Sequence, residues 1–537
     1  MLNHSFASLI FIRISVAGLQ SIGPCSLAWT IWLAYDILFN HKSLSELRLP
    51  GLQAYAVAEG LFYLFFLWYR RRLQREAVHP PLRTREERKQ LVTQVRTEIH
   101  DVDKFLSGWF RGANPKDIGR DELKRFLAWT FWEGRVTDEH AEELEEYAQI
   151  IENMTGRRFQ EGRGTAEALR LTLDPIEMDV RSLTWYAIVM LVEQSTFVRF
   201  WIAGFSHFRT RTAGPWVFPP RPGTLLAKGK SPADSLSYWH RPHTSKTRLP
   251  VLFIHGIGIG LYPYVDTLEA IAKQPTSSPD HLSDQGIGVL AIEILPISFR
   301  LTQPIMQRRA FIDQITAILD KHGWDKFVLS SHSYGSVFST HMLTHPPLAT
   351  RIAATVLIDP VTLLLHMPDV AFNFTVRKPR SANEWQLWYF ASKDPGVAHT
   401  LGRHFFWNEN SLWRSRIREL MAGGMRFTVS LASRDLIVDT EAVAQYLLLD
   451  DDEDDDGVPD PLIEIDEGGS RRMRLEARGD SAGDQDWKSR PWSGEGLDVL
   501  WCEDLDHAQV FDDSVARGRL VAVLDEYSKG GCLRVDS

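Results

Sequence analysis

Two long apolar runs open the chain. Ile14 to Tyr35 carries no charge, lies between Arg13 and Asp36, and has Pro24 near its middle. Gly51 to Tyr69 carries only Glu59 and ends in Trp68 and Tyr69, followed by Arg70, Arg71, Arg72 and Arg75. A helix crosses a bilayer with about 20 apolar residues, so both runs are long enough. Aromatic residues followed by a basic cluster mark the cytosolic end of a span. The pattern predicts a helical hairpin over residues 1–75, with both ends cytosolic and a loop from Asp36 to Pro50. Pro24 is tolerable there if a neighbouring helix or a serine satisfies the freed carbonyl. Two other readings stay open. A signal peptide lacks its basic start here, and Arg13 interrupts the apolar run. The second run could instead be an interfacial or buried helix, because Glu59 is costly at bilayer depth.

From Thr84 to about Met154 the apolar positions recur at helical spacing. Thr84 and Glu87 form a possible capping box. Leu91, Val95, Ile99 and Val102 follow, then Leu123, Phe126, Leu127 and Phe131, then Ala141, Leu144, Tyr147 and Ile151. Residues 76–208 therefore read as a helical region, an adaptor between membrane and the rest of the chain. Leu183 to Phe205 is again apolar but contains Glu193 and Arg199. It reads as a buried or membrane-leaning helix pair, with a third span as the alternative. Residues 209–250, rich in Pro, Gly, Thr and Ser, read as an extended linker.

After Pro250 the pattern changes. Short apolar runs at Val251–Ile254, Val289–Leu295, Phe327–Ser330, Thr355–Ile358, Phe427–Leu431 and Val499–Cys502 alternate with helical segments such as Ile305–His322. Short buried strands alternating with helices predict an α/β fold with a mostly parallel sheet over residues 251–530. Two insertions interrupt it: an aromatic-rich helical stretch at 362–424, placed where a cap could sit, and a polar acidic stretch at 449–496, expected to be disordered.

Composition adds little and excludes some classes. The chain has 537 residues, is 44% hydrophobic and 24% charged, and has a net charge of −9. Those values are globular. Seven acidic residues from Asp450 to Asp456 supply most of the net charge, and no basic excess points to nucleic acid. Cys25, Cys502 and Cys532 cannot build a disulfide framework or a cysteine-only zinc site. Asp452 to Asp460 has alternating carboxylates and a turn at Gly457, as a calcium loop does. The position six after that glycine is Ile463 instead of the required glutamate, so a solvated acidic loop is the plainer reading and no metal is expected.

The chemistry lies on the predicted strand ends. Phe327–Ser330 runs into Ser331-His332-Ser333-Tyr334-Gly335, with a helical pattern after it. A nucleophile elbow needs small residues two before and two after the nucleophile, so that strand and helix can pass closely. Ser331 and Gly335 occupy those positions and Ser333 is the candidate nucleophile. Ser331 replaces the usual first glycine with the next smallest polar residue. The glycine-rich turn His255-Gly256-Ile257-Gly258 follows the strand Val251–Ile254. It could aim the Ile257 N–H at a developing oxyanion, with the Tyr334 N–H as second donor. A late strand leads to Asp435 and the last one to His507, so Ser333, Asp435 and His507 stand in hydrolase order. Asp359 is the rival acid. Asp439 reads as a helix cap, Asp504 and Asp506 as solvated, and His332 as pointing away from the reaction.

On His255–Gly258, Ser331–Gly335 and the Asp435 and His507 turns, the chain resembles the α/β-hydrolase superfamily. More narrowly, it resembles membrane-anchored eukaryotic hydrolases of the AB hydrolase-1 type with long N-terminal helical extensions. The resemblance covers about residues 245–530. It implies an eight-stranded, mostly parallel sheet with an inserted cap, and serine hydrolase chemistry without a cofactor. Trp385, Trp388, Tyr389, Phe390, Phe405, Phe406 and their neighbours suggest an apolar acyl site under the cap, although each is equally at home in a packed cap core. The expected function is cleavage of a lipid-like carboxylic ester at a membrane, with the catalytic domain facing the cytosol. Acyl transfer or thioester cleavage with the same triad, and a non-catalytic module of this fold, are the alternatives.

Overall fold

The computed structural model describes residues 5–40, 50–211, 217–273, 286–448 and 486–530. The apolar runs after Pro250 form the centre of one sheet. Its strands are β1 (Ser206–Arg209), β2 (Gly229–Lys230), β3 (Ser237–Arg241), β4 (Val251–Ile254), β5 (Val289–Glu293), β6 (Phe327–His332), β7 (Ile352–Ile358), β8 (Arg426–Ala432) and β9 (Leu497–Cys502). Their spatial order is β2-β1-β3-β5-β4-β6-β7-β8-β9. The block from β5 to β9 is parallel, while β3 runs antiparallel to both β1 and β5. Helices cover both faces, which is why the inner strands read as unbroken apolar runs instead of alternating ones. Leu252, Ile254 and Leu329 pack towards Phe311, Phe338 and Met342. Val251, Phe253 and Val328 pack towards Leu268, Leu520 and Leu524 on the other side.

Two expectations change here. The sheet has nine described strands instead of eight, the extra one being the two-residue edge strand β2. Residues 209–250 are not a linker throughout, because they carry β2 and β3. Pro, Gly, Thr and Ser dominate the flanks, but Ser237–Arg241 pairs along its whole length with β5 and is buried. The largely buried Glu293 at the end of β5, its side chain 12% exposed, ties this segment down. It accepts hydrogen bonds from Arg221 at 2.8 Å, from the Ser237 hydroxyl at 2.5 Å and from the Trp239 indole at 3.2 Å.

The two N-terminal runs form α1 (Phe6–Phe39) and α2 (Pro50–Leu73), both long and apolar enough to cross a membrane. They pack antiparallel through small residues. A Cβ on Gly60 would lie 3.1 Å from the Leu27 Cα, and the Thr30 hydroxyl bonds the Ala56 carbonyl at 3.1 Å. The far half of α2 docks on the rest of the chain, with the Phe62 ring against Tyr186 and Phe218. Leu183 to Ile202 is one helix, not a pair. After α3 (Arg85–Glu98), α4 (Val102–Trp109), α5 (Arg120–Trp132) and α6 (Ala141–Thr155) it is α7. Glu59, the costly charge of the second run, is only 1% exposed and caps α7, accepting the Leu183 N–H at 2.9 Å. Of the charges within α7, Glu193 is turned inward and Arg199 lies in a surface pair. Glu193 pairs with Arg221 and Arg300, and Arg199 pairs with Asp266. Ile188, Leu191, Val198, Trp201 and Ile202 are left exposed.

The Thr84–Glu87 capping box forms, and Asp439 caps its helix through the Ala442 N–H at 3.1 Å. Helices α3 to α6 share the core of the sheet and cap instead of standing between anchor and sheet. The Trp109 indole donates to the His366 carbonyl of the cap at 3.0 Å, and a Cβ on Gly108 would meet Pro368 at 2.3 Å. The cap fills residues 362–424 between β7 and β8. Most of the acidic insertion, including the calcium-like loop and Cys532 further on, lies outside the described residues. Its end is built into the fold, since the Trp492 indole donates to the Thr428 hydroxyl at 3.0 Å.

Glu59→Ala leaves the Leu183 N–H at the start of α7 without its acceptor, while Ser182 still caps the Trp185 N–H. We expect a loss of about 2 kcal/mol, seen as a lower thermal midpoint of the full-length protein in detergent. Leu61→Ala, on the exposed side of α2, is expected to leave that midpoint in place.

Candidate active site

Ser333 sits where β6 turns sharply into the helix Gly335–Leu343. Its φ is +51°, in the left-handed region that non-glycine residues seldom adopt. The Ser336 hydroxyl locks the turn, donating to the Ser333 carbonyl at 2.6 Å and accepting the Val361 N–H at 3.1 Å. Ser331, in the place of the first glycine, is buried and accepts the Ser339 hydroxyl at 2.7 Å. Its hydroxyl therefore fastens strand to helix where a glycine would only let them pass. Gly335 is required by space alone, because a Cβ there would lie 2.4 Å from the Ile254 carbonyl oxygen.

Order in the sheet decides what meets Ser333. β4 and β6 are neighbours, and Ile254 is in register with Ser331. The His255 turn and the elbow thus leave the same end of the sheet side by side, at the crevice where strand order reverses. A Cβ on Gly256 would lie 2.7 Å from the Ser333 Cβ. His255 holds this turn from beneath. It is fully buried, its Nδ1 lies 2.7 Å from the Gly256 carbonyl, and its Nε2 lies 2.9 Å from the Ile294 N–H. Those partners make Nδ1 the protonated nitrogen, and burial pushes the ring down to about 4, so it stays neutral. Ile257 and Tyr334 line a small pocket with Ser333.

The sequence-predicted acid and base meet the serine. The His507 Nε2 is 2.8 Å from the Ser333 Oγ, and its Nδ1 is 2.7 Å from the Asp435 Oδ2. The other oxygen of Asp435 accepts the Ile437 and Val438 N–H groups at 2.7 and 3.0 Å, which orients the carboxylate. Burial works against charge on His507, but Asp435, Asp359 and Asp506 outweigh it and push the ring up to about 9.

The rival acid Asp359 does not touch His507 by a hydrogen bond. It is buried and accepts the backbone N–H groups of Ala432 and Ala508, at 3.1 and 2.9 Å, so it pins the acid-bearing strand to the histidine loop. Asp506 corrects an expectation: it is buried, not solvated. It accepts the N–H groups of Leu436 and His507 at 3.2 and 2.7 Å and the Asn383 amide of the cap at 3.2 Å. Asp504 is exposed and pairs with Arg434. His332 points to the Tyr264 hydroxyl at 2.8 Å and lies 3.8 Å from Asp359. Asp359, Asp435 and His507 lie close enough to share a cation, but their atoms are already engaged with one another or with the backbone.

This sheet order, a serine elbow beside the switch in strand order and the acid and histidine on later strand ends decide the architecture. The chain has the α/β-hydrolase fold. No protein-family model and no curated protein matches the sequence. Among solved structures, a bacterial membrane phospholipase A is 11% identical, covering 64% of this chain and 94% of its own at a TM-score of 0.35. The carboxylesterase CesB from Bacillus subtilis is 10% identical, covering 63% and 98% at 0.31. A carboxylesterase from the archaeon Nitrososphaera gargenis is 14% identical, covering 55% and 97% at 0.31. Superpositions that loose carry no argument, and the fold assignment rests on topology. None of them narrows it to the membrane-anchored eukaryotic type.

Within this α/β-hydrolase fold, sequence reasoning missed the contribution from before the sheet. Leu171 lines the serine pocket with the cap residues Val370, Phe374, Leu401 and Phe405. Its segment has no helical or strand period, and only packing brings it there. Tyr264, which positions His332 and receives the Gly256 N–H at 3.3 Å, was missed for the same reason.

Gly335→Ala drives a methyl group into backbone that cannot move aside. A loss of roughly 1–3 kcal/mol or more is expected in chemical denaturation. Gly258→Ala, which meets nothing within 4 Å, is expected to unfold as the parent does.

Proposed function

We propose that the protein is a membrane-associated serine hydrolase that cleaves a lipid-like carboxylic ester through an acyl-enzyme. The observation that carries this reading is the chain of contacts from Asp435 through His507 to a strained Ser333, with spacings of 2.7 and 2.8 Å. In the neutral ring, Nδ1–H donates to Asp435 and Nε2 takes the serine proton as Oγ attacks the ester carbonyl. The Ile257 and Tyr334 N–H groups are the proposed oxyanion donors. The C–O bond to the alcohol then breaks, and the proton on Nε2 passes to the departing oxygen. Water next attacks the acyl-serine, His507 takes its proton, and Oγ leaves with it. Supporting a lipid-like substrate are the apolar lining of the serine pocket and the two long apolar helices. Supporting a cytosolic orientation of the catalytic domain is the basic cluster Arg70, Arg71, Arg72 and Arg75 at the end of the second helix.

A fluorophosphonate probe is expected to label the solubilised wild type and not Ser333→Ala. With a short aryl ester, Ser333→Ala should lose on the order of 10⁴-fold or more in kcat. Labelling that persists in the variant would remove Ser333 from the role. A folded wild type that never labels would favour the non-catalytic module, and ester exchange to an added alcohol or thiol in place of hydrolysis would favour acyl transfer.

The pH profile tests the histidine. Only neutral His507 accepts a proton, so a ring held above its usual 6.5, up to about 9, moves the rising limb of kcat/KM to alkaline pH. Asp435→Asn removes the strongest charge raising that value. The limb should then move to lower pH while kcat falls on the order of 10³–10⁴-fold.

A further inference from the structure

The pocket at Ser333 has room for about 20 Å³, little more than one water needs, so no acyl chain fits beside the serine in this conformation. A chamber of about 880 Å³ lies close by. That volume is in the range of about 300–1,000 Å³ typical of ligand sites. Phe62, Phe65 and Tyr69 of α2 form one wall, and Phe218 and Leu301 form another. The third is the cap helix Pro395–His404, which also divides the chamber from the serine. Thr400 and His404 face the chamber, whereas Leu401 and the following Phe405 line the serine pocket. A further cavity of about 670 Å³ continues from Val78 and His404 to Tyr334, next to the nucleophile. A nearly continuous series of spaces therefore leads from α2 to the elbow.

The chamber has features that point to an occupant. Thr400 is 1% exposed, and its hydroxyl has no partner, a costly state for a buried polar group unless a ligand meets it. The walls from α2 belong to the turns just before Trp68 and Tyr69, which is where a span meets the lipid headgroups. The exposed Arg72 and Arg75 lie at the mouth with no carboxylate partner among the described residues, and Glu76 is the one acidic residue of the lining. An apolar chamber opening at headgroup level beside two exposed guanidinium groups, Arg72 lying over the Trp68 ring and neither facing a carboxylate among the described residues, fits one amphiphile with a negative head.

We propose that this chamber binds the acyl chain of a single anionic glycerophospholipid taken sideways from the leaflet in which α2 ends, with its headgroup at Arg72 and Arg75. As the substrate's approach to Ser333 this deepens the hydrolase reading and rests on it. The binding itself does not need turnover.

The test is photocrosslinking of full-length Ser333→Ala in phosphatidylcholine nanodiscs that hold a trace of phosphatidylglycerol with a diazirine on its acyl chain. Adducts are expected on residues 62–69, 296–304 and 395–404. They should fall about fivefold or more in Ala77→Trp, which fills the chamber near its mouth, and in the double variant Arg72→Glu/Arg75→Glu, whose exposed positions do not threaten the fold. Adducts confined to the outer faces of the apolar helices, at Phe11, Trp32, Leu64 or Leu191, would overturn the site. Equal labelling by the phosphatidylcholine form of the probe would overturn the anionic headgroup. Fluorophosphonate labelling of the wild type, run alongside, reports on Ser333 alone, so a failure of the hydrolase reading and a failure of the lipid site give different results.

Discussion

Two loops leave neighbouring strands and nearly touch, and the site depends on that contact. Gly256 comes so close to Ser333 that no side chain fits between them, and Gly335 does the same beneath Ile254. With those two methyl groups absent, the His255 turn can stand over Ser333 and the elbow can carry that residue at positive φ. Strain of this kind persists only where the surroundings over-determine it. Here the Ser336 hydroxyl, the Ser331–Ser339 pair and the β4–β6 register all hold the same turn. The Ser333 hydroxyl is thereby held in one fixed position at the end of the sheet.

Charge is handled by the same logic of buried partners. Asp435, Asp359 and Asp506 surround His507, yet each is already given backbone or side-chain donors, so three carboxylates can sit near one ring. Their combined field favours the protonated form of the His507 ring. Further from the site, Glu193 and Glu293 bind Arg221 between them and so connect α7 to the sheet. Such buried pairs are costly to break singly, because the remaining partner stays desolvated. That is why an apolar helix can carry Glu193 and still show the outside a face of Ile188, Leu191, Val198 and Trp201.

The N-terminal third packs into the half of the chain that carries the sheet. Leu171 reaches the serine pocket, Trp109 holds the cap carbonyl of His366, and α2 supplies a wall of the large chamber. The apolar helices and the site form one construction. In the proposed lipid hydrolase this shortens the path from bilayer to nucleophile to the thickness of one cap helix.

Legible in the chain without its fold were the local signals with a short physical range. These were the two apolar helices, the Thr84 capping box, the parallel strands as apolar runs, the elbow with its small residues, and the serine–acid–histidine order along the chain. Each is written in neighbouring residues, because helix period, strand burial and turn sterics act over a few positions. Tertiary structure decided whatever depends on partners far away in the chain. A five-residue strand hidden among Pro, Gly, Thr and Ser became β3 only because β5 lies beside it. Asp506 was buried only because the cap brings Asn383, and Glu59 was made tolerable only by the N–H of Leu183. The choice of Asp435 over Asp359 as the partner of His507 draws on both. The sequence favoured Asp435, whose loop is followed by an apolar run and a helix, and the tertiary structure sets it 2.7 Å from the imidazole while Asp359 turns to backbone N–H groups.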